Sequence, residues 1–173
     1  MSEILEVTKL PGYPPEIGAA LWCLEDTRRR TLDLLKDLPE KYVDYDVHGN
    51  TIGTILYHIA LIEMDWLFVE ILNEPIPDEV TRLFPEDVRD EEGHLTQIKA
   101  LTFEQHLNRL REMRKILMDK LLGMTVDDFY RKRNFPQYDV SPQWVLHHLS
   151  QHEAEHRGEI GAVINFIKQE SSK

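Results

Sequence analysis

Cysteine is almost absent from the sequence, because Cys23 is the only one among 173 residues. The chain can therefore form no intrachain disulfide and no zinc site built from cysteines. Cys23 also falls within a helical pattern and has no signature of a catalytic thiol around it. Chemistry that needs a reactive thiol would have to take it from another molecule.

Long apolar runs are missing as well. No segment contains the roughly 20 uninterrupted apolar residues that a membrane-spanning helix needs. The N-terminal stretch MSEILEVTKLPGYPPE lacks the basic start and the apolar run of a signal peptide. We therefore expect a cytoplasmic protein with no membrane partner.

Basic residues are scarce relative to acidic ones. The chain has 20 Lys and Arg against 31 Asp and Glu, a formal net charge of −11. This balance argues against a nucleic-acid partner, since phosphate binding requires clustered basic residues. The two short basic clusters, residues 28–30 and 131–133, are interpreted as solvated surface. Length and composition indicate one globular domain spanning residues 1–173.

The sequence shows four long helical patterns. It shows no convincing strand. Residues 102–105, Thr-Phe-Glu-Gln, match a capping box at the start of the third pattern. The four predicted helices span residues 16–38, 52–72, 102–122 and 141–167. Because residues 73–101 separate the second from the third, we predict an all-α four-helix bundle with a long connection between helices 2 and 3.

The last helix carries histidines on its predicted buried face. That face follows helical spacing through the positions Val145, Leu149, His152, His156, Ile160, Val163 and Ile167. His152 and His156 lie one turn apart and point the same way, as two ligands of one metal ion would. His148 lies near the same face, but it is about 12 Å from His156 along the helix axis. One ion can therefore bind residues 148 and 152 or residues 152 and 156, with further ligands from another helix.

Two known metal-binding motifs overlap this histidine pair. Residues 152–156 formally match H-E-x-x-H of zinc proteases. Glu159 and Ala162 replace the Gly and the last His of the extended motif, and no sheet is evident to border a substrate cleft. A ferritin-like di-metal site needs a second Glu-x-x-His, yet Ile55 precedes His58 by three residues. A site for a single ion fits better.

Two patches of this sequence resemble the DinB/YfiT-like bundle proteins. One is YHIALIEMDW, residues 57–66, with a His, a Glu five residues later and then an aromatic residue. The other is HHLSQHEAEHRGEIGAV, residues 147–163, where the family typically shows His-x-x-x-His-Arg-Gly-Gln. The four-helix layout and the length also match. The sequence departs from the family at Glu159, where Gln is usual, and this change could alter what lies beside the site.

The resemblance implies one divalent metal ion per chain, bound by His58, His152 and His156. His147 and His148 then lie outside the ligand set. Imidazole suits several transition metals, of which zinc and nickel are the expected ones here. The resemblance also implies a metal-dependent S-transferase that uses bacillithiol or a related small thiol, since such enzymes and a mycothiol-dependent isomerase belong to the family.

Three neutral imidazoles leave positions on an ion open for a thiol or for water. A coordinated thiol loses its proton and can attack an electrophilic substrate, whereas an activated water would make the protein a hydrolase. Glu63 and Glu153 are the candidate catalytic residues, because they could orient the imidazoles or carry protons. A non-enzymatic metal-binding bundle is the remaining alternative. Gly158 and Gly161 could allow close helix approach within the bundle or in an expected homodimer.

Overall fold

The computed structural model describes residues 5–47 and 49–170, with the backbone alone at Val47. Its long helices are α1 (Pro15–Leu35), α2 (Ile52–Asp65), α4 (Phe103–Leu121) and α6 (Pro142–Glu170), and its short ones are α3 (Asp78–Thr81) and α5 (Val126–Tyr130). The predicted all-α bundle and the long connection before α4 are confirmed. The prediction of a single domain includes residues 1–4, 48 and 171–173, which lie outside the described ranges.

The bundle is held together by apolar contacts between specific helix pairs. Helix α1 packs on α6, and α2 packs against both α4 and α6. Leu21, Leu56, Leu117 and Ile160, one from each long helix, are fully buried. Each such side chain contributes about 1.5–3 kcal/mol by leaving water. In the part of the chain that the structure describes, no helix combines the length and apolarity needed to cross a lipid bilayer.

The helix starts follow the caps expected from the sequence. The side chain of Thr51 accepts a hydrogen bond of 3.0 Å from the backbone N–H of Thr54 at the start of α2. Thr102 and Gln105 form the predicted capping box at the start of α4. Helix α1 ends at Leu35, earlier than predicted, and closes through a bond from Leu38 N–H to the Leu35 carbonyl. Pro39 disfavours helical geometry at the residue before it.

Helix α2 changes type near its end. The sequence predicts one helix over residues 52–72, but the structure has α geometry to Asp65 and a π-helix over Trp66–Leu72. The segment ends at Asn73, whose φ of 53° is the predicted left-handed cap. A π-helix has wider turns than an α-helix, so it turns the side chains from Trp66 onward to new directions.

The expectation of no strands is wrong at two short hairpins. Strand β1 (Asp46–Val47) pairs with β2 (Asn50–Thr51), and β3 (Arg133–Asn134) pairs with β4 (Asp139–Val140). Two-residue strands are too short to produce an alternating pattern in the sequence. Each hairpin leads directly into a helix that carries predicted ligand histidines, α2 or α6.

His106 on α4 is a completely buried polar residue. Its ring lies against Gly53, where a Cβ atom would come within 2.8 Å of the His106 Nε2 and 3.3 Å of a Val43 methyl group. Gly53 therefore permits this close contact between α2 and α4. Gly158 and Gly161 have no such role inside the described chain, since added Cβ atoms there would meet open space. Contact with a second copy stays a prediction.

We predict that Gly53→Ala lowers the free energy of unfolding by about 1–3 kcal/mol, because the new methyl group overpacks a rigid ring. Gly158→Ala is the matched control, since it adds the same methyl group in open space. The control should stabilise the protein by up to about 1 kcal/mol through helix propensity. Urea unfolding of both variants measures the difference. Equal effects would show that the contact with His106 is not tight.

Candidate metal centre

Three histidines from two helices meet at one point of the bundle. His58 comes from α2, and His152 and His156 come from α6. The Nε2 atom of His152 lies 3.1 Å from Nε2 of His58 and 3.1 Å from Nε2 of His156. All three ligand atoms lie within 4.8 Å of one another. This is the set of residues that the family resemblance implies.

The nitrogen positions fit a shared metal ion. With bonds of about 2.1 Å, two imidazole nitrogens on one ion can be at most about 4.2 Å apart. Both contacts of His152 satisfy this limit, and the remaining pair, His58 and His156, lies within 4.8 Å. Hydrogen bonding alone does not account for the cluster. A ring nitrogen carries either a proton or a lone pair, so Nε2 of His152 can make only one good hydrogen bond. The group can therefore hold one metal ion.

Burial keeps two of these rings in the form that binds metals. Burial, with His156 and Arg89 as further causes, lowers the pKa of His58 to about 4. Burial and the neighbouring histidines lower the pKa of His152 to about 3. Both imidazoles are thus neutral at pH 7, with a lone pair available for an ion.

His148 lies next to the three-histidine group without joining it. Its ring stacks on Trp144 at 5.0 Å and an interplanar angle of 11°, and it lies 4.6 Å from the Trp66 ring. Its centroid is 6.0 Å from that of His152. His147 is exposed. Both residues therefore lie outside the ligand group, as the resemblance implies.

Glu159, where the family usually has Gln, contacts the group directly. Its Oε2 lies 3.2 Å from Nδ1 of His156, the ring nitrogen that points away from the other histidines. Half of the Glu159 side chain is exposed, so the carboxylate faces solvent as well. A carboxylate on the far nitrogen holds an imidazole in one tautomer and increases its donor strength. Because residues three apart on a helix are neighbours, the spacing of His156 and Glu159 in the sequence is enough to predict this contact.

Glu63 and Glu153, the candidate catalytic residues, belong to a buried cluster of ions. Arg114 donates to both carboxylate oxygens of Glu63, at 2.8 and 2.9 Å, and Arg28 donates to one of them at 3.0 Å. Glu153 accepts from Arg28 at 2.8 Å and from Arg114 at 3.4 Å. All four residues are almost completely buried. Their catalytic role stays untested, and the structure gives both carboxylates a structural one.

The prediction that Arg28 lies on the solvated surface is wrong, because its side chain is buried. It interrupts the apolar face of α1 because it extends into the bundle, where it also donates to the Leu110 carbonyl at 3.0 Å. Arg114 on α4 was not singled out at all. A charged residue within the apolar stripe of a helix indicates a side chain that is buried because it pairs with an opposite charge.

The charges of the cluster compensate one another. Burial would raise the pKa of Glu63, but Arg114 and Arg28 outweigh it and hold that pKa below its ordinary value. Burial opposes the charge on Arg114, yet Glu63, Glu153 and Glu25 raise its pKa. Glu63 and Arg114 therefore keep their charges in the core because each is paired with a group of opposite sign.

The protein is an all-α bundle in which α2 and α6 bring together three histidines able to hold a metal ion. The sequence profile of the DinB superfamily matches residues 23–160. The chain therefore belongs to the DinB superfamily, and this membership together with the histidine group fits a metal-binding protein. No curated protein matches the chain closely enough to count as a relative.

We predict that Glu63→Gln lowers the free energy of unfolding by about 3–5 kcal/mol, because it leaves two buried arginines short of negative charge. Glu25→Gln is the matched control. Glu25 also pairs with Arg114, but its side chain is 42% exposed, so its loss should cost at most about 1 kcal/mol. Chemical unfolding of the two variants makes the comparison. A small effect at both positions would contradict the importance of the cluster.

Proposed function

We propose that the protein is a metal-dependent thiol S-transferase whose single divalent ion, zinc or nickel, is held by His58, His152 and His156. The observation that carries the proposal is the convergence of three Nε2 atoms from two helices. Among the described residues, this group supplies three ligand atoms, whereas structural zinc sites usually have four. Three ligands favour an ion that also binds a small molecule.

A divalent ion in this position would supply the positive charge that favours the thiolate form of a bound thiol at neutral pH. The protein's own residues prepare the place. Burial keeps His58 and His152 neutral, and Glu159 orients His156. Glu63 and Glu153 enter the proposal as positioning residues, because their ion pairs hold α2 and α6 in register.

The reacting thiol would come from another molecule, because the single cysteine of the chain, Cys23, is poorly suited to the role. Partial desolvation and the nearby Asp26 raise the pKa of the exposed Cys23 thiol, which favours its protonated form. A protonated thiol is a poor nucleophile. The electrophile would then receive the sulfur of a low-molecular-weight thiol rather than that of the protein.

We expect His58→Ala, His152→Ala and His156→Ala each to reduce the bound metal well below one ion per chain, since each removes one of three ligands. His148→Ala is the control and should keep its metal, because that ring stacks on Trp144 instead. Elemental analysis of protein purified without chelator measures the content.

Chelation should also lower the melting temperature of the wild-type protein, because the ion would join α2 to α6 only in the folded state. Full metal content in all three ligand variants would rule out this site.

Glu159→Gln should weaken metal binding by roughly 10–100-fold, the usual effect of losing a carboxylate partner of a ligand histidine. Glu155→Gln removes the same charge from an exposed position of α6 and serves as the control. Competition titration with a metal indicator gives both dissociation constants. If the two variants bind equally, the contact of Glu159 with His156 has no role in the affinity.

The activity itself is tested with a chromogenic electrophile and a panel of small thiols that includes bacillithiol. Turnover should require both the thiol and His58, so the His58→Ala variant should lose nearly all of it. Hydrolysis of esters or amides without any thiol would identify a hydrolase instead. If neither turnover depends on metal, the transferase proposal is wrong and a non-enzymatic metal-binding bundle remains.

A further inference from the structure

A cavity of about 620 Å³ lies beside the N-terminal end of α6, and none of the three histidines lines it. We call it the aromatic pocket. Four aromatic side chains line it: Trp66, Tyr130, Tyr138 and Trp144. Tyr130, Tyr138 and Trp144 are between 44% and 47% exposed. Large aromatic side chains left open around a cavity of this size are typical of a site for a small molecule.

Trp66 is the centre of the ring arrangement. Its ring lies 5.5 Å from that of Trp144 and 6.4 Å from that of Tyr138, with which it is nearly parallel. Trp66 is also the first residue of the π-helix that ends α2. π-helical turns are rare in proteins and occur frequently at functional sites. The π-helix therefore forms part of this pocket.

A buried carboxylate stands directly behind the aromatic wall. Glu70 is 5% exposed, and its Oε1 accepts a hydrogen bond of 2.8 Å from the hydroxyl of Tyr138. Its Oε2 is buried without a hydrogen-bond partner. Burial raises the pKa of Glu70, and the nearby Asp65 raises it further. Burial also raises the pKa of Asp65. Burial therefore disfavours the charged form of both carboxyl groups, and a cation bound nearby would offset that effect.

The other charged residues around the pocket do not supply that cation. Lys132 and Asp139 both line the opening, so their charges offset each other there. The guanidinium of Arg133 donates to the carbonyls of Ile71, Asp128 and Arg131. When Asp65 and Glu70 are ionised, negative charge exceeds positive charge around the rings.

We propose that the aromatic pocket binds a small organic cation, an alkylated ammonium group with apolar substituents. The faces of Trp and Tyr rings attract such a cation through their quadrupoles, and its low hydration makes the transfer into an apolar cavity easy. A bound cation would favour the ionised form of Glu70, whose Oε2 has no hydrogen-bond partner among the described residues. The proposal does not depend on an ion at the histidines, so either can fail without the other.

The test compares choline with 3,3-dimethylbutan-1-ol, which has the same shape but carries carbon in place of the charged nitrogen. The chain has three tryptophans, so its indole N–H signals in nuclear magnetic resonance report on binding directly. Trp22 on α1 lies outside the pocket and is the internal reference. Choline should shift the signals of Trp66 and Trp144 alone and bind at least about fivefold more tightly than the alcohol.

Two variants separate the cation site from a merely apolar one. Glu70→Gln should weaken choline binding by roughly tenfold and leave the alcohol unchanged, whereas the exposed Glu155→Gln should change neither. Trp144→Leu alters a half-exposed side chain, so it should keep the fold and remove most of the choline binding. Equal binding of the two probes, or no shift with either, would overturn the proposal. So would choline binding that neither Glu70→Gln nor Trp144→Leu weakens.

Discussion

A buried cluster of ion pairs connects all four long helices of the bundle. Each long helix contributes one member: Arg28 from α1, Glu63 from α2, Arg114 from α4 and Glu153 from α6. Apolar residues in their place could be as stable, since desolvating four charges is costly. We infer that the cluster instead selects one arrangement of the helices. A helix that rotates or slides leaves a charge unpaired in the core.

The histidine group depends on this arrangement. Glu153 directly follows His152, so its bonds to Arg28 and Arg114 determine how α6 is rotated about its axis. Glu63 does the same for α2, one to two turns after His58. With both helices held in this way, His152 and His156 face His58 across the bundle. The hairpins that precede α2 and α6 hold the starts of the same two helices.

One face of α6 carries a line of rings that joins the two candidate sites. Trp144, His148, His152 and His156 follow one another at intervals of four residues, with centroid separations of 5.0, 6.0 and 4.4 Å. The aromatic pocket lies at one end of this line and the three-histidine group at the other. His148 separates them, and its pKa is lowered by burial among these rings. The three-histidine group and the aromatic pocket are therefore neighbours along one face of α6.

The four long helices, the capping box at Thr102 and the histidine pair on α6 could be predicted from the sequence, because these features depend on neighbours within one helix. The choice of His58 as their partner came from family resemblance rather than from spacing. The burial of Arg28 becomes visible only in the folded protein, because its partner Glu153 lies 125 residues away in the sequence. Helical periodicity records which side of a helix is apolar. It does not record which charge on another helix, or which ring across the bundle, meets that side.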